Sequence, residues 1–263
     1  MRKRLNGYIY ECVLVDLNTQ RDFLGSDAPR QVANVATLVP ALRNIIAWTR
    51  RNEVPVVSSM ESNRPEDSDG SNFPPHCLDG SAGQLKLRFT LMRNRVSVEG
   101  DNTIALPLDL FQSHQQVVFR KRTPDLLCNP KADRFLTQLP TREYIIFGLG
   151  LEHSVKALAL GLVARNRRVL VISDGCGYWS ASTAEFVLRQ MAAKGVKLIT
   201  VEELLARKLR RPRRYSRLIN GNGRRPGNSG VYPALPLTEP TGDNGRPKAD
   251  APSRTNSRTQ RSA

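Results

Sequence analysis

Three features of the sequence predict an α/β chain built as a three-layer α/β/α sandwich, with helices on both faces of a mostly parallel, Rossmann-like central sheet. Short runs dense in Val, Ile, Leu and Tyr recur through residues 8–200 without polar alternation, as strands buried on both faces do. Stretches with apolar residues at helical spacing separate them. The alternation of strand and helix persists to about residue 209, and each return to the sheet through a helix makes the next strand parallel. Ligands of such sheets bind beyond the carboxyl ends of the strands.

The first strand is expected over residues 8–17, with Asp16 at its end. Pro40 stands where a helix can begin, because its missing N–H costs nothing there. Leu42, Ile45, Ile46 and Thr49 then repeat at helical spacing, and Val54-Pro55-Val56-Val57 restores strand character. Residues 58–110 are richer in Gly, Pro, Ser and charge, which predicts a long excursion with short elements, of the kind that lines active sites. Strands are expected at 116–119, 144–147, 168–173 and 196–200, and helices at 131–139, 152–165, 181–194 and 201–209.

The 263 residues, 40% of them hydrophobic, suffice for one sizeable core. One folded domain is expected over 1–209. The segment 210–263 is dominated by Arg, Pro, Gly, Asn, Ser and Thr and is expected to be a disordered basic tail. From Arg207 onward 14 Lys and Arg face 3 Asp and Glu, so +11 of the total +16 lies there and +5 before it. The folded part is therefore only mildly basic overall. The run Arg210-Arg211-Pro212-Arg213-Arg214 is compatible with weak, non-specific nucleic-acid contact through the tail, although only Tyr215 supplies an aromatic ring. Cys12, Cys77, Cys128 and Cys176 lie far apart without metal-ligand spacing, which suits a reduced, cytoplasmic chain. No apolar run is long and uncharged enough for a membrane span, and Glu11 and Asp16 interrupt any signal-peptide core after Met1-Arg2-Lys3-Arg4.

The segment Val13-Leu14-Val15-Asp16-Leu17-Asn18-Thr19-Gln20-Arg21-Asp22-Phe23-Leu24 resembles the opening motif of the isochorismatase-like cysteine hydrolases, which include the nicotinamidases. Phe73-Pro74-Pro75-His76-Cys77-Leu78-Asp79-Gly80-Ser81-Ala82-Gly83 is similar to a Pro-His-Cys stretch of nicotinamidases. Lys121 falls where the family places a catalytic lysine after a strand. Gly148-Leu149-Gly150-Leu151-Glu152-His153-Ser154-Val155 matches the strand-to-helix turn that presents the nucleophilic cysteine. These motifs follow one another in the family's order over about residues 8–200.

The resemblance implies a carboxylate and a lysine flanking a cysteine, with Asp16, Lys121 and Ser154 in the three places and the turn at Gly150 and Leu151 holding an oxyanion. Serine thus stands where the thiol is needed. Moving a proton from a thiol (pKa ~8.5) to a carboxylate (pKa ~3.9) is uphill by about 6 kcal/mol. An alcohol with a pKa near ~15.7 adds roughly 10 kcal/mol more before any stabilisation is credited. His153 adjoins Ser154 but points about 100° away around a helix, so it makes a poor base.

Many family members also bind a divalent ion through an Asp-x-His pair after the second strand, where this chain has Ser58-Ser59-Met60-Glu61-Ser62. Asp67 and Asp69 nearby fit a solvated turn better than a metal site, so neither metal nor cofactor is expected. Each site residue also has a structural role to weigh: Asp16 capping a turn or pairing with Lys121, Cys77 and His76 packing in the excursion, Cys128 and Cys176 buried, His114 on a surface loop. Two functions follow. In the favoured one the chain has lost cysteine-dependent hydrolysis and keeps a pocket for a small molecule or a partner. In the second, Ser154 with Asp16 and Lys121 cleaves a small amide or related bond. Homo-oligomers are compatible with either.

Overall fold

The computed structural model describes residues 8–65, 74–101, 103–209 and 213–214. Asp67, Asp69 and, apart from Arg213 and Arg214, the whole expected tail lie outside the described residues. In chain order the chain forms β1 (Tyr8–Ile9), β2 (Val13–Leu17), α1 (Arg21–Leu24), α2 (Val35–Arg51), β3 (Val56–Glu61), β4 (Arg95–Val98) and β5 (Gln116–Lys121). Then come α3 (Pro130–Gln138), β6 (Tyr144–Leu149), α4 (Lys156–Ala164), β7 (Val169–Gly177), α5 (Ala181–Ala193), β8 (Lys197–Ile199), α6 (Val201–Leu205) and β9 (Arg213–Arg214).

Seven strands form one sheet in the order β4-β5-β3-β2-β6-β7-β8, with every neighbouring pair parallel. Residues of α2 and α6 pack on one face with Leu14, Val56 and Ile145. Residues of α3, α4 and α5 pack on the other with Val13, Val15, Val117 and Ile146. This is the three-layer sandwich expected from the sequence. The chain first builds outward from β2 to β3 and β5, then returns to β6 on the other side of β2. At such a reversal, open α/β sheets bind ligands beyond the carboxyl ends of the strands.

Local departures have physical causes. The expected first strand divides into β1, which pairs antiparallel with β9, and β2, which enters the large sheet. Pro40 lies inside α2, not at its start, because Leu38, two residues earlier, is fully buried and that packing outweighs one lost backbone hydrogen bond. Asn34 ties the start of α2 to the end of β7, donating to the Cys176 carbonyl at 3.0 Å and accepting from the Tyr178 N–H at 3.2 Å. β7 runs to Gly177, beyond the expected 173, since a Cβ at Gly177 would stand 2.1 Å from Leu149 and only glycine lets the two strands stay together. A single π-helical turn, Leu151–Val155, precedes α4. α6 is shorter than expected and is held by a capping box between Thr200 and Glu203.

Candidate functional site

Side chains alternate across a strand, and this decides which of them share a site. In β5, Lys121 shares the side of Val117 and Phe119, which face α3 to α5. In β3, Glu61 shares the side of Val57 and stands opposite Lys121 in the parallel register. Both therefore project toward the layer whose helix α4 follows Ser154. Asp16 alternates with Val15 and Leu17 and shares the side of Leu14, toward α2. The expected carboxylate lies on the far face of the sheet.

The buried Lys121 Nζ donates to Glu61 Oε1 at 3.1 Å, to the Thr123 and Pro124 carbonyls at 3.0 and 3.1 Å, and lies 3.2 Å from Ser154 Oγ. Ser154 Oγ also accepts from Asn18 Nδ2 at 3.1 Å. The left-handed backbone at Asn18 (φ 50°) turns its side chain off the α2 side. Its amide thereby reaches Ser154, Glu61 Oε1 at 2.7 Å and the Leu149 carbonyl at 3.0 Å, while its oxygen accepts from Ser59 at 2.7 Å. Two of the three residues expected from the resemblance, Lys121 and Ser154, are thus in contact. Asn18 and Glu61 complete the cluster.

Asp16 does not pair with Lys121. Its carboxylate accepts from Thr19 at 2.8 Å and Ser58 at 3.1 Å and forms an ion pair with Lys86 at 3.1 Å. Burial pushes the Lys86 ammonium below the usual lysine range, and the Asp16 charge pulls it back. Lys86 comes from the excursion, as do Gln84 and His76, whose chain positions gave no sign of where they would meet the sheet.

The turn carrying Ser154 is built from backbone. Gly150 accepts from the His153 and Val155 N–H groups at 3.2 and 3.1 Å, the Leu149–Gly150 peptide is cis, and Leu151 is buried beneath. A Cβ on Gly150 would stand 2.1 Å from Trp179, so the indole lies directly on this turn. Trp179 is held by its ring N–H on the Arg30 carbonyl at 3.1 Å and by its backbone N–H on Glu152 at 2.8 Å. His153 is exposed and faces Trp179 with ring centroids 5.9 Å apart, not the serine hydroxyl.

His76 was expected to pack in the excursion, and it does so beside the cluster, with Nε2 3.8 Å from Glu61 Oε2. Arg30 can only donate and the Pro74 carbonyl can only accept, so the contacts at 2.9 and 3.0 Å assign the ring proton to Nδ1 and the lone pair to Nε2. The lone pair a metal would need is thus engaged by a guanidinium. Asn63 turns its amide onto the His76 carbonyl at 3.0 Å. These residues do not fit a divalent ion, and among the described residues no group of three or more His, Cys, Asp or Glu could hold one.

Burial, then the charges of Glu61 and Asp22, pushes the Cys77 thiol far up. Burial likewise pushes Cys176 and Cys12 up to about 12, so all three stay protonated near neutral pH. Cys128 is exposed.

The isochorismatase domain, taken as a family profile, matches residues 12–203. No curated protein matches the sequence. The fold is similar to that of an isochorismatase-like hydrolase from Alkaliphilus metalliredigens, with TM-score 0.60, 19% identity and coverage of 74% of this chain and 97% of the other. It is also similar to the pyrazinamidase of Pyrococcus horikoshii in complex with zinc (TM-score 0.56, 18% identity, 72% and 99% covered). The Bacillus subtilis nicotinamidase matches with TM-score 0.58 at 13% identity, over 72% and 98% of the chains.

Proposed function

The chain belongs to the isochorismatase family, and from that premise we propose that it is a member without cysteine-dependent hydrolysis that binds a small molecule or a partner at the carboxyl ends of β2, β3, β5 and β6. One observation carries this reading: the Ser154 hydroxyl sits 3.2 Å from an ammonium and 3.1 Å from an amide N–H. Both neighbours are donors, so neither takes a proton from it. An attacking alcohol needs a matched base, and the carboxylate on this side of the sheet, Glu61, is already bound by Lys121 and Asn18. The retained group is a buried polar cluster with a Trp179 wall, suited to binding.

The second reading is an amide hydrolase using Ser154 with Lys121 and Asp16, with the turn at Gly150 and Leu151 stabilising the oxyanion. The 3.2 Å contact between Lys121 and Ser154 favours it. Its difficulty is that Lys121 Nζ already donates to three other oxygens, one of them the Glu61 carboxylate, so its N–H groups are engaged as donors and none of these contacts places it as a base for Ser154.

The test is turnover of small amides, nicotinamide among them, by the native chain, Ser154→Ala, Ser154→Cys and the double variant Ser154→Cys with Asn18→Asp. No turnover is expected from the native chain, and the double variant, with thiol and carboxylate both restored beside Lys121, is expected to exceed Ser154→Cys. Native turnover abolished by Ser154→Ala would establish the hydrolase reading instead.

A further inference from the structure

Away from this cluster, residues 28–52 and 80–98 contain no Asp or Glu, and they pack together. Arg50 Nη2 donates to the Phe89 and Leu91 carbonyls at 2.8 and 3.1 Å. The Arg43 guanidinium lies 4.4 Å from the centre of the Phe89 ring, and Arg95 donates to the Met92 carbonyl at 2.9 Å. With Arg51, Arg88 and Arg93, all six side chains are exposed; they come from α2, from residues 88–93 and from the start of β4. None of the six forms an ion pair among the described residues. On other parts of the surface Arg120, Arg142, Arg165 and Arg189 all meet carboxylates.

We propose that this arginine face, built by α2 and residues 88–95, binds the phosphodiester backbone of a single-stranded nucleic acid. The anchoring contacts of Arg50 and Arg95 are to neutral carbonyls, which orient the guanidinium groups without neutralising them. Their uncompensated charge attracts a polyanion. The six charged side chains named are all arginine, as are 31 of the 40 basic residues in the chain. A planar guanidinium grips phosphate through two N–H groups and stacks on bases, which an ammonium does not. Guanidinium stacking needs bases that are not already paired and stacked in a duplex, which a single strand offers. This surface shares no residue with the Ser154 cluster or with residues 210–263, and the proposal holds whether or not the chain hydrolyses amides.

The experiment measures binding of a labelled 20-nucleotide oligo(U) to the full chain across a salt series. Arg43→Gln, Arg88→Gln and Arg93→Gln are combined in one variant, leaving the structural Arg50 and Arg95 in place. A control combines Arg165→Gln, Arg189→Gln and Lys194→Gln on the α4–α5 layer. Loss of three phosphate contacts is expected to lower the slope of log affinity against log salt by about 2 and to weaken binding about tenfold at moderate salt. The control is expected to change little. Photo-crosslinking of the native chain, which needs no variant to fold, is expected to mark peptides within residues 40–52 and 88–95. No binding by the native chain, an unchanged slope in the arginine variant, an equal loss in the control, crosslinks confined to the tail, or tighter binding to anionic vesicles than to oligo(U) would each overturn the proposal.

Discussion

Two lysine–carboxylate pairs stand near the carboxyl ends of the same strands, and they differ in the face of the sheet they occupy. Asp16 and Lys86 lie on the α2 side, with side chains 0% and 1% exposed, and their remaining polar atoms are taken by Thr19, Ser58 and the Ser59 carbonyl. Glu61 and Lys121 lie on the α4 side, where Glu61 keeps 16% exposure and the lysine touches Ser154. The first is a closed network in which every group is spoken for. The second is open at one end and shares its atoms with the candidate site. The two pairs thus differ in the side of the sheet they face and in how far water reaches their carboxylates.

The largest consequence concerns the closed pair. Lys86→Met leaves the Asp16 carboxylate buried without a counter-charge, and a loss of about 3–5 kcal/mol is expected in denaturant unfolding. Adding Asp16→Asn to that variant removes the orphaned charge and is expected to recover a good part of the loss. If Lys86→Met unfolds at the native denaturant midpoint, the contrast between the two pairs fails. Lys121→Met, in the open pair, leaves the Glu61 carboxylate at 16% exposure, where water can reach it. A smaller loss of about 1–2 kcal/mol is expected in the same measurement, and a cost equal to that of Lys86→Met would show that exposure does not separate them.

The smallest effect belongs to a third carboxylate, on the rim. Asp79 accepts hydrogen bonds from Ser62 and Gln84 and pairs with Arg122 at 2.9 Å, and the Ser62 hydrogen bond first, then Arg122, holds its carboxyl below the usual range. The folded state then binds this proton less readily than the unfolded chain. The stabilisation is present above the unfolded value near ~3.9 and is lost as the pH falls through the lower folded value. Asp79→Asn is accordingly expected to lower the melting midpoint by a degree or two at neutral pH, a difference that shrinks as the pH is taken below ~3.9. A gap that widens with acid would reverse the assigned sign.

Much of this molecule was legible along the chain. The apolar runs that became β2, β3, β5, β6 and β7 are continuous because both faces of the sheet are covered, and the helical spacing from Leu42 to Thr49 survives in α2. Lys121 and Ser154 could be singled out because each follows a recognisable strand. Asn18 and Glu61 were not, although signals existed: Glu61 ends its strand as Asp16 nearly ends β2, and Asn18 follows directly after that strand. What hid them was the sidedness of the strands, which depends on register and on the left-handed turn at Asn18. The contributions of Lys86 and His76 were invisible for a different reason, since they arrive on a weakly patterned excursion whose path no local rule predicts.

The sequence by itself determined the layered α/β architecture and the concentration of charge after Arg207, and it set a serine in the turn that follows β6, because periodicity, residue identity and composition are local properties. Only the tertiary structure decided which carboxylate meets which lysine, that an amide and an ammonium flank the hydroxyl, and that arginines from two distant segments share one face. Those outcomes depend on strand order and on the direction each side chain takes from the sheet, quantities that exist only after the chain has closed on itself.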